Sequence, residues 1–68
     1  MATINSSAVQ ERMLELGVGV IELSELARIP AKTISALHRK DTRVFIPTLA
    51  RLAKALQVPP QTLIKAVE

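Results

Sequence analysis

The residues with the clearest chemistry are cations, and most of them lie in one part of the chain. Residues 1–25 contain one basic and four acidic side chains, whereas residues 26–68 contain eight basic and two acidic ones. The densest stretch, residues 28–54, has seven bases and one acid, Asp41. Guanidinium and ammonium groups bind phosphates and the O6 and N7 atoms of guanine, so this distribution indicates a polyanionic partner. A solvated surface on a generic helical bundle is the alternative.

Side chains suited to catalysis or metal binding are scarce. The chain has no cysteine and a single histidine, His38, so a zinc site is not expected. Glu22 and Glu25 resemble a carboxylate pair, but near a helix start they complement the helix dipole. Neither a nucleophile with its base nor a phosphate-binding loop occurs. We therefore predict no enzyme activity, no cofactor and no metal.

Length and hydropathy indicate a single domain. With 68 residues, the chain is expected to form one domain over residues 7–68, preceded by a flexible segment at 1–6. Its apolar runs are far shorter than the roughly 20 residues that span a bilayer, and the N-terminus does not resemble a signal peptide. Together with the absence of cysteine, these features predict a cytoplasmic protein, bacterial or in a phage-infected host cell, with no membrane partner.

Glycines and prolines divide the chain into segments with helical apolar spacing. Gly17 is expected to end the first helix, and Pro30 and Pro47 are expected at helix starts. Five helices are predicted: Ala8–Leu16, Val20–Ala27, Ala31–Arg39, a fourth from Pro47 with the stripe Leu49, Leu52, Ala53 and Leu56, and Gln61–Val67. The predicted fold class is a compact all-α domain.

Several local features refine these predictions. Ser7 and Gln10 are spaced as a capping box at the first helix. Phe45 is expected in the core, with base stacking as the alternative. The second helix is expected to bury four residues, Ile21, Leu23, Leu26 and Ala27.

Residues 20–39 form the most informative unit. Two short helices are joined by a turn of three or four residues, and the apolar positions expected to be buried are Leu23, Ala27, Ile29, Ile34 and Leu37. This spacing holds two helices at a steep angle and leaves one side of the second helix exposed. The major groove of a duplex is wide enough to admit such a helix.

Two segments resemble a known family. The sequence LSELARIPAKTIS, from Leu23, is similar to the helix-turn-helix of the Cro/cI phage repressors and the xenobiotic-response-element regulators. The sequence IPTLARLAKALQVPPQTL, from Ile46, is similar to the fourth and fifth helices of that family. The resemblance covers about Val18–Ile64. It implies a lambda-repressor-like domain that acts as a sequence-specific transcriptional regulator on double-stranded DNA, such as a Cro-like phage or prophage repressor.

The resemblance also implies residue roles. The positions that contact base edges in the family are occupied here by Ala31, Lys32, Ser35, Ala36 and Arg39. The positions that contact the DNA backbone are occupied by Arg28, Lys40, Thr42, Arg43 and Thr48. Two departures stand out: Arg28 replaces the glycine often found at the turn, and the reading face lacks the Gln and Asn that pair with adenine.

Two further expectations concern partners. A homodimer on DNA is expected, with Leu63, Ile64 and Val67 of the last helix as its surface, unless these residues complete the core. The alternative function is a protein-interaction module of the same fold, an antirepressor or antitoxin that binds a partner repressor or toxin.

Overall fold

The computed structural model of the protein describes the backbone of residues 1–67 and the side chains of residues 1–66. Within this range the fold has four α-helices and a small three-stranded sheet. The elements are β1 (Ala2–Ile4), α1 (Ser6–Leu16), α2 (Val20–Ala27), α3 (Ala31–Arg39), β2 (Arg43–Val44), α4 (Ile46–Leu56), a short 3₁₀ helix (Pro60–Leu63) and β3 (Ile64–Val67). The fold is therefore mostly helical, but the prediction of an all-α domain with five helices is wrong.

The N-terminal residues form the central strand of the sheet. The strand order is β2-β1-β3, with both pairs antiparallel, and Ala2 lies opposite Val44 on one side and Val67 on the other. The amide of Ile4 donates to the carbonyl of Thr42 at 2.8 Å. Residues 1–6, expected to be a flexible segment, thus include a strand whose Ala2 and Ile4 are fully buried. A strand of three residues is too short to show the alternation that would predict it.

The C-terminal segment also differs from the prediction. Residues 61–67 were expected to be helical, but the helical part ends at Leu63 and the chain continues as β3. The amide of Asn5 donates to the carbonyl of Leu63 at 2.8 Å, which joins the end of this turn to the beginning of α1. The spacing of Leu63, Ile64 and Val67 fits one face of a helix, but pairing with β1 determines the conformation.

The core includes residues from every helix and from β1 and β2. Buried apolar residues from the helix-turn-helix unit (Leu23, Ala27, Ile29, Ile34, Leu37) and from α4 (Leu49, Leu52, Ala53, Leu56) confirm both predicted stripes. Leu63 is fully buried among them, which corrects its assignment to a dimer surface. Ile64 is partly buried, and the side chain of Val67 lies outside the described residues.

Three residues predicted in the core lie on the surface. Ile21 and Leu26 are 63% and 62% exposed, because α2 packs on α3 and α4 through a narrow stripe, Leu23 and Ala27. Phe45 is 66% exposed. In β2 the buried residue is Val44, and because side chains alternate along an extended chain, its neighbour Phe45 points outward.

Both ends of α1 are capped, and two side chains from its middle fix the helix to the rest of the fold. Asn5, rather than Ser7, caps the helix by accepting from the amide of Ala8 at 3.3 Å. The predicted glycine stop is confirmed, since Gly17 has a φ of 68°. The side-chain amide of Gln10 donates to the carbonyl of His38 at the end of α3. Arg12 Nε donates to the carbonyl of Leu56, the last residue of α4, at 2.8 Å.

No helix within the described part of the chain is long and apolar enough to cross a membrane.

Candidate nucleic-acid interface

A tight turn holds α2 and α3 in a fixed relative position. Arg28, at the turn position for which the sequence resemblance implies a glycine, adopts the left-handed conformation (φ 58°, ψ 43°). The amide of Ile29 then donates to the carbonyl of Ser24 at 3.1 Å, and the Ile29 side chain is buried. The carbonyl of Pro30 accepts from the amides of Thr33 and Ile34, which begins α3. A non-glycine residue in this conformation costs about 1 kcal/mol, so the arginine is tolerated here with some strain.

The helix α3 has one buried and one open side. Ile34 and Leu37 are fully buried against the core. The five residues expected to contact bases lie on the remaining sides: Lys32 and Arg39 are exposed, and Ala31, Ser35 and Ala36 are half-buried. Residues three and four positions apart are neighbours on a helix surface, so these side chains share one outer face.

The cations on this face are available for a ligand. Lys32 and Lys40 form no side-chain hydrogen bond or ion pair with residues 1–66, and Arg39 Nε makes a single long contact, 3.4 Å, with the carbonyl of Ser35. Arg39 lines a shallow groove of about 290 Å³ with Ala36 and Lys40. A guanidinium exposed on a helix surface can form two hydrogen bonds to a guanine edge.

The loop that follows α3 is attached to the sheet through Thr42. The Thr42 hydroxyl donates to the carbonyl of Lys40 at 3.0 Å, and the Thr42 carbonyl accepts from the amide of Ile4. These contacts place two exposed bases, Lys40 and Arg43, beside the end of α3. Thr48 is half-buried in the first turn of α4, a helix start that no side chain caps.

Asp41, the single acid among residues 28–54, is paired with other residues of the same chain. Its Oδ1 accepts from the amide of Ser6 at 2.9 Å, and its Oδ2 accepts from Lys65 Nζ at 2.7 Å. The hydrogen bond from Lys65, followed by that from Ser6, lowers the pKa of Asp41 to about 2, and Asp41 in turn raises the pKa of Lys65. Sequence reasoning missed this contact because the partners are 35 and 24 positions away along the chain.

A second group of cations lies elsewhere. Arg28, expected with the DNA-backbone set, lines a groove of about 620 Å³ between α2 and α4 together with Arg51 and Lys54. The remaining lining residues are Leu26, Ala27, Ala55 and Gln57. The structure therefore groups Arg28 with Arg51 and Lys54. Sequence reasoning had noted Arg51 and Lys54 only as part of the overall basic charge.

Two short helices are joined by a left-handed turn, each has a buried stripe, and the second has a cationic outer face. This arrangement defines a helix-turn-helix domain. The chain belongs to the family of Cro/C1-type HTH DNA-binding domains, whose family model matches residues 8–68. This match confirms the resemblance seen in the sequence. Neither the curated proteins nor the solved structures include one that matches the chain.

Proposed function

We propose that this protein is a sequence-specific transcriptional regulator that binds an operator in double-stranded DNA through α3, in the manner of a Cro-like phage or prophage repressor. The observation that carries the proposal is the open outer face of α3, where Lys32 and Arg39 are exposed in a chain of the Cro/C1-type family. An inserted helix of this kind reads bases in the major groove.

We propose a role for each side chain on the outer face of α3. Lys32 and Arg39 donate to guanine O6 and N7, and Ser35 donates to or accepts from a base or a phosphate. Ala31 and Ala36 offer small apolar surfaces that suit a thymine methyl group. Because Gln and Asn are absent from this face, the preferred operator should be read through guanines and thymine methyls rather than by two-fold contacts with adenine.

The loop after α3 and the beginning of α4 supply the contacts to phosphates. Lys40 and Arg43 carry the charge, and the first turn of α4 at Thr48 offers backbone amides and the positive end of its dipole. The Thr42 hydroxyl already donates to Lys40, so Thr42 acts mainly by holding the loop in place. These contacts set the register and the affinity, and the base contacts set the specificity.

The proposed complex contains two copies of the chain. One copy neutralises about four phosphates, and at a slope of about 0.9 per phosphate its affinity falls steeply with salt. A homodimer on two half-sites about 34 Å apart gains the binding energy of both copies. The proposal of a homodimer rests on this energetic argument.

Single substitutions on the two surfaces should have different effects. Arg39→Ala should cost about 1–3 kcal/mol on the preferred duplex and relax the choice of base at one position. Arg43→Ala should weaken binding to all duplexes alike and reduce the salt slope by about one. The measurement is fluorescence anisotropy with a duplex selected from random DNA and a scrambled duplex, each over a series of salt concentrations.

Arg39→Lys is the matched control, because it keeps the charge and removes the guanidinium fork. It should lose part of the base preference while keeping the salt slope of the parent. If Arg39→Ala and Arg43→Ala bind both duplexes with the affinity of the parent, these residues are not in the interface and the proposal fails.

The second candidate function is a protein-interaction module, an antirepressor or antitoxin that occupies a partner repressor or toxin. The exposed apolar side chains of Ile21 and Leu26 on α2 favour this function. If selected and random duplexes both fail to bind at low salt while an immobilised repressor retains the chain, this second function is supported and DNA binding is excluded.

A further inference from the structure

The outer face of α2, with the groove beside it, combines both signs of charge with exposed apolar side chains. α2 carries two exposed acids, Glu22 in the first half of the helix and Glu25 in the second. Its C-terminal end borders the groove between α2 and α4, where three bases lie together, Arg28, Arg51 and Lys54. Two apolar side chains of the same helix, Ile21 and Leu26, are each more than 60% exposed. We call this region the α2 surface.

The charged side chains of the α2 surface form almost no polar contacts with the side chains and backbone of residues 1–66. Arg28, Arg51 and Lys54 form no side-chain hydrogen bond or ion pair with any of residues 1–66. Of the two acids, only Glu22 has a contact, a long hydrogen bond of 3.4 Å from the amide of Gly19. Ion pairs with a partner molecule are therefore open to both halves of the surface.

The arrangement of charge along α2 makes this surface complementary to itself. Glu22 and Arg28 are six residues apart, or roughly 9 Å along a helix axis. When two α2 helices pack antiparallel about a two-fold axis near residue 25, Glu22 of each copy lies opposite the basic end of the other. In such an interface every contact occurs twice, and the exposed Leu26 side chains lie near the axis.

We propose that the α2 surface is a dimer interface whose occupant is the same surface of a second copy of this chain. A DNA backbone is a poor occupant because Glu22 and Glu25 repel phosphates, and phosphates make no use of the apolar Ile21 and Leu26. A second copy pairs Glu22 with the bases of the groove and covers the exposed Leu26, while Glu25 lies beside the axis without a base opposite it. The α2 surface is thus named as the contact surface of the homodimer proposed above. The role of this dimer on DNA rests on the proposed function, but the interface itself does not.

The test uses two double variants of opposite charge. Arg51→Glu with Lys54→Glu makes the groove acidic, and Glu22→Lys with Glu25→Lys replaces both exposed acids of α2 by bases. The matched control is Glu11→Lys with Glu15→Lys, which changes the net charge as much as the second variant but on the exposed side of α1. Circular dichroism verifies that each variant is folded, and sedimentation equilibrium without DNA gives the dissociation constants over a range of salt concentrations.

The parent chain should form a dimer that weakens with salt. Each of the two α2-surface variants alone should dimerise at least about tenfold more weakly, because like charges then face each other. An equimolar mixture of the two should form a heterodimer, since both contacts are again between opposite charges. A mixture of the groove variant with the α1 control should pair more weakly than the complementary mixture, because only one of its two contacts is between opposite charges.

Three results overturn the inference: a parent chain that remains monomeric, variants that dimerise like the parent, or a control mixture that pairs as well as the complementary one. Because no DNA is present, these results do not bear on DNA binding by α3. That proposal is tested separately by the Arg39 and Arg43 variants.

Discussion

At the scale of single residues, Asp41 connects three parts of the chain beside the recognition helix. It follows directly after Lys40, accepts from the amide at the start of α1 and accepts from Lys65 on β3. Without Lys65, a carboxylate at this position would repel the phosphates that Lys40 and Arg43 are proposed to bind. The pairing therefore neutralises an unfavourable charge and also fixes the loop.

This contact should make stability depend on pH in the acid range. The pKa of Asp41 is about 2 in the folded chain against an ordinary value of 3.8. A carboxyl whose pKa is lowered by folding stabilises the fold above the higher value, and this stabilisation is lost as the pH falls from about 4 to about 2. The urea midpoint of Asp41→Ala should therefore be lower than that of the parent at neutral pH, and the difference should shrink steadily as the pH falls from about 4 to about 2.

The control for this experiment is Glu11→Ala, an exposed acid on α1. Its midpoint should differ from that of the parent by a similar small amount at every pH. A difference between Asp41→Ala and the parent that remains constant from neutral pH to about pH 2 contradicts the assigned hydrogen bonds.

At the scale of elements, the sequence predicts long periodic helices well and short strands poorly. The bounds of α2 and α3 agree with the prediction, because their buried positions and their stop residues are all visible in the sequence. β1, β2 and β3 have two to four residues, and their pairing is decided by contacts between distant parts of the chain. The same limit explains Phe45, whose outward direction depends on a strand that the sequence does not predict.

The segment after α4 shows how an unpredicted strand changes the role expected for its residues. The sequence predicts an exposed helix here, with Leu63 and Ile64 as candidates for a dimer surface. Leu63 is instead fully buried where the chain turns from the 3₁₀ helix into β3. Its role in the described fold is to pack the core.

Truncation of Leu63 should accordingly affect folding. Leu63→Ala should lower the free energy of unfolding by about 2–5 kcal/mol, the usual cost of emptying a buried leucine position. Leu14→Ala is the control, because Leu14 is 82% exposed and its truncation should change the free energy by less than about 0.5 kcal/mol. Urea denaturation of both variants at several protein concentrations gives the comparison. Equal, small effects for the two variants contradict the placement of Leu63 in the core.

At the scale of the whole molecule, most basic residues of the sequence lie in two regions of the structure. One lies on α3 and the loop after it, and the other lies in the groove between α2 and α4. The sequence indicated the first region, because the helix-turn-helix spacing assigns Lys32 and Arg39 to an outer face. It could not indicate the second, because Arg28, Arg51 and Lys54 meet only through the packing of α2 on α4.

The most direct test of the account is to map the DNA-binding surface by NMR. A ¹⁵N-labelled chain is titrated with a short duplex at low salt, and the backbone amide signals are followed residue by residue. We expect the largest shifts along α3 and the following loop, residues 31–43, and at Thr48, with small shifts at Glu11 and Leu14 on the far side of α1. Shifts confined to α1 or to the groove residues Arg51 and Lys54, or no shifts with any duplex, would contradict the central claim that α3 reads DNA.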